Sequence, residues 1–262
     1  MPIVTFTTDF GAHDGYVGAL KGVVLSIAPQ ATVVDIAHGV PARDVAAAAV
    51  ALAQAAPLFP PGTIHVAVID PGVGGARADL VVAAGDRFFV GPDNGVLSLA
   101  ARGPRQIYRI ESPAFRREPV SPTFHGRDVF APAAGRLAAG AAVSDAGSPL
   151  ASMVELSAPP LHRRDGVIEG EVIHVDGFGN LITSLPAEVV ERAGADATVE
   201  VEAGAGHFEP QLGRTFSDVE TGALIAYIGS GGQLEIARRN GSAARRIGAE
   251  RGTIVRLRSP TS

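Results

Sequence analysis

Ile3-Val4-Thr5-Phe6-Thr7-Thr8, followed at once by Asp9, begins a series in which short β-branched runs alternate with alanine-rich segments. The alternation predicts strands at 3–8, 32–36, 65–69 and 80–84, and helices at 15–27 and 42–56. A parallel connection has to cross over the face of the sheet, so this order is typical of a largely parallel, buried sheet flanked by helices. We therefore expect an α/β fold for the first part of the chain.

The character of the sequence changes around residues 155–168. Pro159-Pro160 and the charged stretch at 162–165 are typical of a linker. Beyond them, Gly, Asp and Asn separate short strand-like runs at 170–175, 198–201, 224–228 and 253–257, which is the pattern of a small barrel or sandwich. We expect two domains: an N-terminal α/β domain at 1–160 and a smaller, all-β, barrel-like domain at 168–262.

Composition excludes several classes of function. The chain of 262 residues is 46% hydrophobic and 19% charged, so it can bury a core and is not intrinsically disordered. Its net charge of -5, with 22 basic residues scattered among 27 acidic ones, argues against a nucleic-acid partner. Cysteine is absent, which excludes a thiolate nucleophile, a disulfide frame and a cysteine-based metal site.

Location is also predicted from the hydrophobic pattern. The most apolar run, 45–56, falls short of the roughly 20 residues of a membrane span. The first residues have no basic segment of the kind that precedes a secretory signal. We predict a cytoplasmic protein with no membrane partner.

Five loop-like segments are dense in Gly, Asp, Asn and His: 7–11 with Asp14 and Tyr16, 70–77, 91–95, 123–128 and 176–180. Three of the predicted strands run into polar residues at Asp9, Asp35 and Asp70. Ligands of open α/β sheets bind beyond the carboxyl ends of the strands, so we expect a site at this edge. Each such residue alone is also compatible with a turn or a helix cap.

Familiar catalytic and metal motifs are absent from these loops. The glycines at 72–75 resemble a phosphate loop, but Arg77 stands where G-x-G-x-x-G requires glycine, and no Gly-Lys-Ser/Thr follows. No G-x-S-x-G motif is present. The seven histidines lack paired-ligand spacing, so we predict no metal, although a hard-cation site built from Asp9, Asp14 and Asp93 stays open.

Asp70, Arg77 and His125 form a possible cluster. A carboxylate, a guanidinium and an imidazole together suit holding and polarising a water or hydroxide better than forming a covalent intermediate. Spacing alone favours the simpler interpretation, an ordinary surface ion pair beside a loop histidine.

Taken together and in this order, the five segments resemble the S-adenosyl-L-methionine (SAM) hydroxide adenosyltransferase family, the SAM hydrolases, which are relatives of fluorinase and chlorinase. The resemblance covers nearly the whole chain. The matching motifs are Thr8-Asp9-Phe10-Gly11 with Asp14, Asp70-Pro71-Gly72-Val73-Gly74 with Arg77, Pro92-Asp93-Asn94-Gly95, Thr123-Phe124-His125-Gly126-Arg127-Asp128 and Asp176-x-Phe178-Gly179-Asn180.

The resemblance implies hydrolysis of SAM by attack of water or hydroxide at the ribose C5′, giving adenosine and L-methionine. It implies no cofactor, since SAM is the substrate. It also implies a homotrimer that binds SAM between the N-terminal domain of one subunit and the C-terminal domain of its neighbour. Asp70, Arg77 and His125 match the water-activating triad of the family.

The other matched positions are implied to bind substrate. Asp9 matches the carboxylate that holds the ribose hydroxyls, which is reasonable because a carboxylate can accept from both hydroxyls of a diol. Asp176 matches a partner of the methionine ammonium, while Phe178 and Asn180 match residues at the adenine. The remaining matches near the substrate are Asp14, Tyr16, Asn94 and Ser230, with Tyr16 and Ser230 near the amino-acid end.

The halogenating relatives have different residues at three positions of the matched motifs, and this difference bears on which nucleophile attacks. Fluorinase has Tyr, Thr and Ser at the positions of Asp70, Val73 and Gly126. An ionised Asp70 repels a halide but accepts a hydrogen bond from water, so the sequence favours oxygen as the nucleophile. The chain departs from fluorinase at Gly231, where fluorinase has the arginine after the Ser230 position, so the group that holds the methionine carboxylate is undetermined.

Two other functions stay open. One is a non-catalytic module that binds SAM or adenosine. The other is a nucleoside N-glycosidase with aspartates around a metal, which would release free adenine and lose activity with a chelator.

Overall fold

The computed structural model describes residues 1–157, 159–194 and 196–259. Its contacts divide the chain into two compact units, Met1–Leu156 and Ser157–Ser262. Among the described residues, every helix falls short of the length and hydrophobicity that a membrane crossing requires.

The first unit combines one sheet with helices. Its strands are β1 (Ile3–Thr8), β2 (Thr32–Ala37), β3 (Ile64–Val68), β4 (Asp79–Ala84), β5 (Arg87–Pro92), β6 (Arg105–Arg109) and β7 (Pro149–Leu150). Its helices are α1 (Tyr16–Ile27), α2 (Val45–Ala55) and α3 (Ala131–Ala138). The four predicted strands and two predicted helices are confirmed to within three residues at each end, whereas β5, β6, β7 and α3 were not predicted.

The sheet of the first unit is mixed. Its strand order is β2-β1-β3-β5-β4-β6-β7. The pairs from β2 to β5 are parallel, and those from β5 to β7 are antiparallel. The expectation of a largely parallel sheet holds for only one half of it, because β4 and β5 are joined by Gly85 and Asp86 alone, and a two-residue connection can only make a hairpin.

Helices cover both faces of this sheet. Side chains of α1 and α3 share one apolar cluster with Phe6, Val66 and Val68, and side chains of α2 share another with Ala67 and Ile69. Successive residues of a strand point to opposite faces, which explains this division along β3. Continued past the end of the strand, the alternation directs Asp70 toward the face that carries α1 and α3.

In the part of the second unit that the structure describes, nine strands form one sheet, with two short α-helices. Its strands are β8 (His162–Arg164), β9 (Val167–Val175), β10 (Leu181–Pro186), β11 (Thr198–Ala203), β12 (Gly206–Phe208), β13 (Gln211–Leu212), β14 (Leu224–Ile228), β15 (Gln233–Arg238) and β16 (Ile254–Arg258). Strand β9 pairs with β16 along its first half and with β10 along its second. The all-β expectation was wrong in detail, since α4 (Ala187–Ala193) and α5 (Ala243–Ile247) pack against the sheet.

The predicted linker also contains structure. Strand β8 pairs with β9 through a hairpin whose two connecting residues are Asp165 (φ 49°) and Gly166 (φ 75°). Two successive positive φ values are those of a type I′ turn, which matches the twist of antiparallel strands. The charged residues that indicated a linker are exposed on this short strand, where charge opposes pairing with other chains.

Candidate active site

Asp70 lies just beyond the carboxyl end of β3, and Asn94 fixes the backbone that leads to it. The Asn94 side chain donates from Nδ2 to the Ile69 carbonyl (2.8 Å) and accepts at Oδ1 from the Val96 amide (3.2 Å). Both ends of this predicted substrate-binding side chain are therefore engaged within the protein, next to Asp70.

A tight glycine-rich bend returns the chain from Asp70 to Arg77. Gly74 has φ +73°, and a Cβ there would lie 2.3 Å from the Pro122 carbonyl oxygen. Only glycine permits both this backbone conformation and this approach. The bend thus packs directly against the loop that carries His125.

Arg77 is the centre of a mostly buried hydrogen-bonded group. It forms a two-point ion pair with Asp70, through Nε to Oδ1 (3.0 Å) and through Nη2 to Oδ2. Nη2 also lies 3.0 Å from His125 Nδ1. The side chains of Arg77, Asp70 and His125 are 11%, 5% and 13% exposed, so the surface ion pair that spacing alone favoured is wrong.

Asp79, the first residue of β4, is a further member that sequence reasoning missed. Its Oδ1 accepts a hydrogen bond from Arg77 Nη1 and lies 3.2 Å from His125 Nδ1. The side chain is 10% exposed. The one sequence signal is an acidic residue two positions after Arg77, immediately before the strand predicted at 80–84. We call Asp70, Arg77, Asp79 and His125 the Arg77 cluster.

The Arg77 cluster keeps its guanidinium firmly protonated. Burial by itself would lower the pKa of Arg77, but the hydrogen bond to Asp70 and the charges of Asp79 and Asp70 outweigh burial and raise this pKa above its ordinary value. The guanidinium also lies over the Phe130 ring, 5.5 Å from its centroid. Arg77 therefore acts as a fixed positive charge held between two carboxylates.

His125 is positioned by a rigid loop. It directly precedes a π-helical turn, Gly126–Phe130, that continues into α3; such turns are frequent at functional sites. The loop is closed by Asp128, whose buried carboxylate accepts from the Ser121 amide (3.0 Å) and from Arg127. Burial would raise the pKa of Asp128, but these hydrogen bonds lower it, so the carboxylate stays ionised.

Asp9 follows β1 and binds a strained piece of backbone. Its Oδ2 accepts from the Arg43 amide (2.9 Å), and Arg43 adopts φ 67°, a conformation uncommon for residues other than glycine. Asp14 is exposed just before α1. Tyr16, at the start of α1, packs edge-on against Phe124 with ring centroids 5.3 Å apart and is half exposed. Asp9, Asp14 and Tyr16 lie in the same unit as the Arg77 cluster.

In the second unit, Asp176, Phe178 and Asn180 line an open cleft of about 840 Å³ that we call the C-terminal cleft. Asp176 Oδ1 accepts from the amides of Phe178 (2.9 Å) and Asn180 (2.8 Å), and its Oδ2 accepts from Asn180 Nδ2 (2.9 Å). The Phe178 ring is 82% exposed. The other lining residues are Thr215, Phe216, Ser217, Tyr227, Arg238, Arg239, Asn240, Gly241, Ser242 and Arg245.

Ser230 is exposed in the turn between β14 and β15 and does not line this cleft. Beneath the turn lies a pair that sequence reasoning missed, Tyr227 and Glu235, in which the Tyr227 hydroxyl donates to Glu235 Oε2 (3.0 Å). Burial raises the pKa of both side chains, and the negative charge of Asp176 raises them further. Asp176 therefore lies within electrostatic range of this pair.

The metal alternative receives no support within the described ranges, where no group of three His, Asp or Glu side chains is placed to hold a metal ion. Asp93, one of the three carboxylates considered for a hard cation, accepts instead from the Val154 amide (2.7 Å).

Comparison with known proteins gives consistent relatives. The model of the SAM hydroxide adenosyltransferase N-terminal domain matches residues 4–147, and that of the C-terminal domain matches residues 170–256. The proteins named (R)-S-adenosyl-L-methionine hydrolase from Thermus thermophilus and Salinispora tropica are 43% and 39% identical over 97% and 98% of this chain, and over 98% and 97% of their own lengths. A fluorinase from Nocardia brasiliensis is 29% identical over 98% of this chain and 97% of its own.

Solved structures agree. An uncharacterized conserved protein from Thermotoga maritima aligns with a TM-score of 0.89 at 34% identity, covering 97% of this chain and 99% of that one. Two family models together spanning most of the chain, with full-length relatives well above 30% identity, establish that this chain belongs to the SAM hydroxide adenosyltransferase family.

Proposed function

We propose that the protein hydrolyses SAM to adenosine and L-methionine, with water or hydroxide attacking C5′ of the ribose. The observation that carries the proposal is the mostly buried Arg77 cluster, which joins Asp70, Arg77 and His125 in a member of this family. The full-length relatives named (R)-SAM hydrolases support the same reaction.

The reaction is an in-line displacement. A C5′–O bond forms as the C5′–S bond breaks, the electron pair of the broken bond stays on sulfur, and methionine leaves as a neutral thioether. The attacking water loses one proton overall. When the nucleophile resembles hydroxide, charge is annihilated in the transition state, so excluding bulk water assists the step. The low exposure of the Arg77 cluster supports this role.

Asp70 selects oxygen as the nucleophile. Arg77 holds its carboxylate at two points, a geometry that fixes the carboxylate plane. The remaining lone pairs of that carboxylate can accept a hydrogen bond from water, whereas its negative charge disfavours a halide at the same place. Holding the water in line with the leaving sulfur lowers the activation barrier by several kcal/mol, because the reacting atoms are already oriented.

Substrate recognition is assigned to the other matched residues. Asp9 accepts from the ribose hydroxyls, Phe178 and Asn180 contact the adenine, and Asp176 binds the methionine ammonium. Asp14, Tyr16 and Ser230 lie toward the amino-acid end. Asn94 contributes by fixing the backbone before Asp70, in addition to any contact with substrate.

The active form is proposed to be a homotrimer in which neighbouring subunits share each SAM site. The high exposure of the Phe178 ring supports a ligand or partner at that place. Complementation tests the arrangement: Asp70→Ala and Asn180→Ala subunits, each inactive at low SAM, should recover part of the activity when unfolded and refolded together. Recovery is absent when both residues serve a site within one subunit.

Incubation with SAM in ¹⁸O-labelled water, with and without chloride or fluoride, tests the reaction. The expected product is adenosine with the label on its 5′ oxygen, at a rate that halide does not change and with no halogenated nucleoside. Both configurations at sulfur should be assayed, because the relatives are named for the (R) form. Recovery of unlabelled adenosine contradicts the mechanism.

The same assay separates the alternatives. Binding of SAM without turnover by the unmutated protein indicates a binding module, whereas turnover that Asp70→Ala abolishes without abolishing SAM binding indicates the enzyme. Free adenine and sensitivity to a chelator indicate an N-glycosidase. We propose that no cofactor is required, so activity should survive the chelator. A cytoplasmic location remains a prediction from the sequence.

A further inference from the structure

His38 comes directly after β2, at the carboxyl edge of the first sheet, and belongs to none of the motifs matched in the sequence. Strands β1 and β2 are parallel, but their register is irregular at this end. Phe6 pairs with Asp35, whereas the next residue of β1 pairs with Ala37, so β2 carries one extra residue here. An extra residue of this kind re-aims the side chains that follow it.

The His38 ring is held on both sides. Its Nδ1 lies 2.8 Å from Thr8 Oγ1. Its Nε2 lies 3.0 Å from Asp35 Oδ1, and the other oxygen of that carboxylate accepts from Lys21 Nζ of α1 (2.6 Å). Because a carboxylate only accepts, the hydrogen between the ring and Asp35 belongs to Nε2.

The contact with Thr8 is a hydrogen bond in either charge state of His38. In the neutral ring with its proton on Nε2, Nδ1 accepts from the Thr8 hydroxyl; in the protonated ring, Nδ1 donates to the hydroxyl oxygen. Thr8 is fully buried, and the His38 side chain is 12% exposed, so water competes little for this bond.

Three hydrogen bonds join the segment that begins at His38 to the loop of Asp9. The first is the bond between the His38 ring and Thr8. In the second, the Gly11 amide donates to the His38 carbonyl (2.8 Å), and in the third, Asp9 Oδ2 accepts from the Arg43 amide (2.9 Å). Within the described part of the chain, Asp9 Oδ1 takes no hydrogen bond, so this oxygen is open to a ligand.

We propose that His38 is a positioning residue for recognition of the ribose: it holds the loop at Thr8 and Gly11, so that Asp9 offers its open carboxylate oxygen to the ribose hydroxyls. This role rests on the proposed function, in which Asp9 binds those hydroxyls. A loop that is already held loses less conformational freedom when it binds a ligand, which strengthens binding. The preference for ribose over 2′-deoxyribose should therefore depend on His38, whereas the chemical step should not.

The Thr8→Val variant tests the contact with the smallest change of shape. Its KM for SAM should rise about 10-fold with kcat within threefold, as expected for the loss of one hydrogen bond. The KM for the 2′-deoxy analogue of SAM, which lacks one of the two hydroxyls, should change less than threefold. Thr7→Val is the matched control, since Thr7 Oγ1 is buried with no hydrogen-bond partner among the described residues, and both KM values should stay unchanged.

Variants of His38 test the cause. His38→Ala should raise KM for SAM at least as much as Thr8→Val, and combining the two should raise it less than twofold further, because both break the same contact. His38→Asn, whose amide can still bond to Thr8, should keep KM for SAM within threefold of the wild type. Additive effects of the two substitutions, or a His38→Asn variant as impaired as His38→Ala, contradict the assignment.

Hydrogen exchange of the Gly11 amide, measured by NMR, tests the positioning without substrate. Exchange should be about 10-fold faster in Thr8→Val and His38→Ala than in the wild type and Thr7→Val. Unchanged exchange overturns the inference, whether or not SAM is hydrolysed. When His38→Ala does not fold, Thr8→Val decides the question.

The Asp9→Asn variant separates this inference from the proposed function. Loss of the preference for SAM over its 2′-deoxy analogue in Asp9→Asn, with the preference kept in Thr8→Val, leaves the proposed function standing and shows that the role of His38 is wrong. When neither variant alters the preference, the ribose contact of Asp9 is wrong as well, and the role of His38 fails with it.

Discussion

The side chains of the Arg77 cluster are between 5% and 13% exposed and bond to one another, whereas the Phe178 ring of the C-terminal cleft is 82% exposed. Asp176 bonds within its own short loop. The Arg77 cluster is thus held together by its own hydrogen bonds, whereas the C-terminal cleft presents exposed apolar and polar surface. Under the proposed function, the chemistry uses preorganised charge, and substrate recognition uses a surface that a ligand or partner covers.

The largest effect on activity is expected when charge is removed from the Arg77 cluster. Asp70→Asn should lower kcat about 10³-fold, equivalent to about 4 kcal/mol in the barrier, because the amide neither holds Arg77 as strongly nor attracts the water hydrogen. Steady-state assays of adenosine formation measure the effect. A kcat within threefold of the wild type contradicts the assignment, and circular dichroism should show an unchanged fold.

The second test compares the stability of the two units in acid. His65 is fully buried in β3, where it shares a hydrogen bond with the Thr5 hydroxyl and stacks on Phe89. Burial and the nearby charge of Arg87 lower the pKa of His65 to about 4. Below pH 6.5, the ordinary pKa of histidine, the unfolded chain binds a proton at His65 that the folded chain does not bind. The first unit should therefore lose about 3 kcal/mol of stability as the pH falls from 6.5 to 4.

Hydrogen exchange resolved by unit, at pH 7 and pH 4.5, measures this loss. His65→Phe should have a smaller pH dependence, although its unpaired Thr5 hydroxyl makes it less stable at every pH. The control His162→Gln alters an exposed histidine of the second unit and should leave the pH dependence unchanged. An equal change in the stability of the first unit with pH in wild type and His65→Phe contradicts the prediction.

A smaller effect is expected in the C-terminal cleft. Phe178→Ala should raise KM for SAM about 10-fold with kcat within threefold, since stacking a base on an aromatic ring contributes about 1 to 3 kcal/mol. Leu58→Ala, which shortens an equally exposed side chain of the first unit, is the control. A fall in kcat at unchanged KM would instead connect Phe178 with the chemical step.

The smallest effect concerns the backbone that holds Asp9. Arg43→Gly and Arg43→Ala both remove the side chain, but only glycine adopts φ 67° without strain, so the glycine variant should be about 1 kcal/mol more stable. Urea unfolding compares the two. Equal stabilities would show that residue 43 relaxes out of the left-handed region.

Much of the fold followed from local patterns. The strand at 3–8 and the one at 224–228 coincide with β1 and β14, because alternating β-branched residues bounded by turns leave little ambiguity. The helix α3 was not predicted, since its alanine-rich segment is buried on nearly all sides and has no polar face to reveal its period. The hairpins at Gly85-Asp86 and Asp165-Gly166 were likewise missed, and the first of them makes half of the first sheet antiparallel.

The sequence indicated candidate site residues only where a suitable residue type stood in one of the glycine-rich loops. Asp70, Arg77 and His125 lie together, whereas spacing alone favoured a surface ion pair, because spacing could not show that Arg77 folds back into a mostly buried position. Asp79 was missed because it meets His125 from a position 46 residues away in the chain, a contact that local patterns do not show. Tyr227 and Glu235 meet across two strands of a hairpin, so nothing in either segment alone indicated the pair.

The close approach of Gly74 to the Pro122 carbonyl has a consequence for enzyme engineering. A Cβ at position 74 would lie 2.3 Å from that oxygen, so the two loops fit each other as matched surfaces. Exchanging one of them alone with a halogenating relative would disturb the fit between the loop of Asp70 and Arg77 and the loop of His125. A successful transplant of halide specificity would need both loops, 70–77 and 121–128, moved as one cassette.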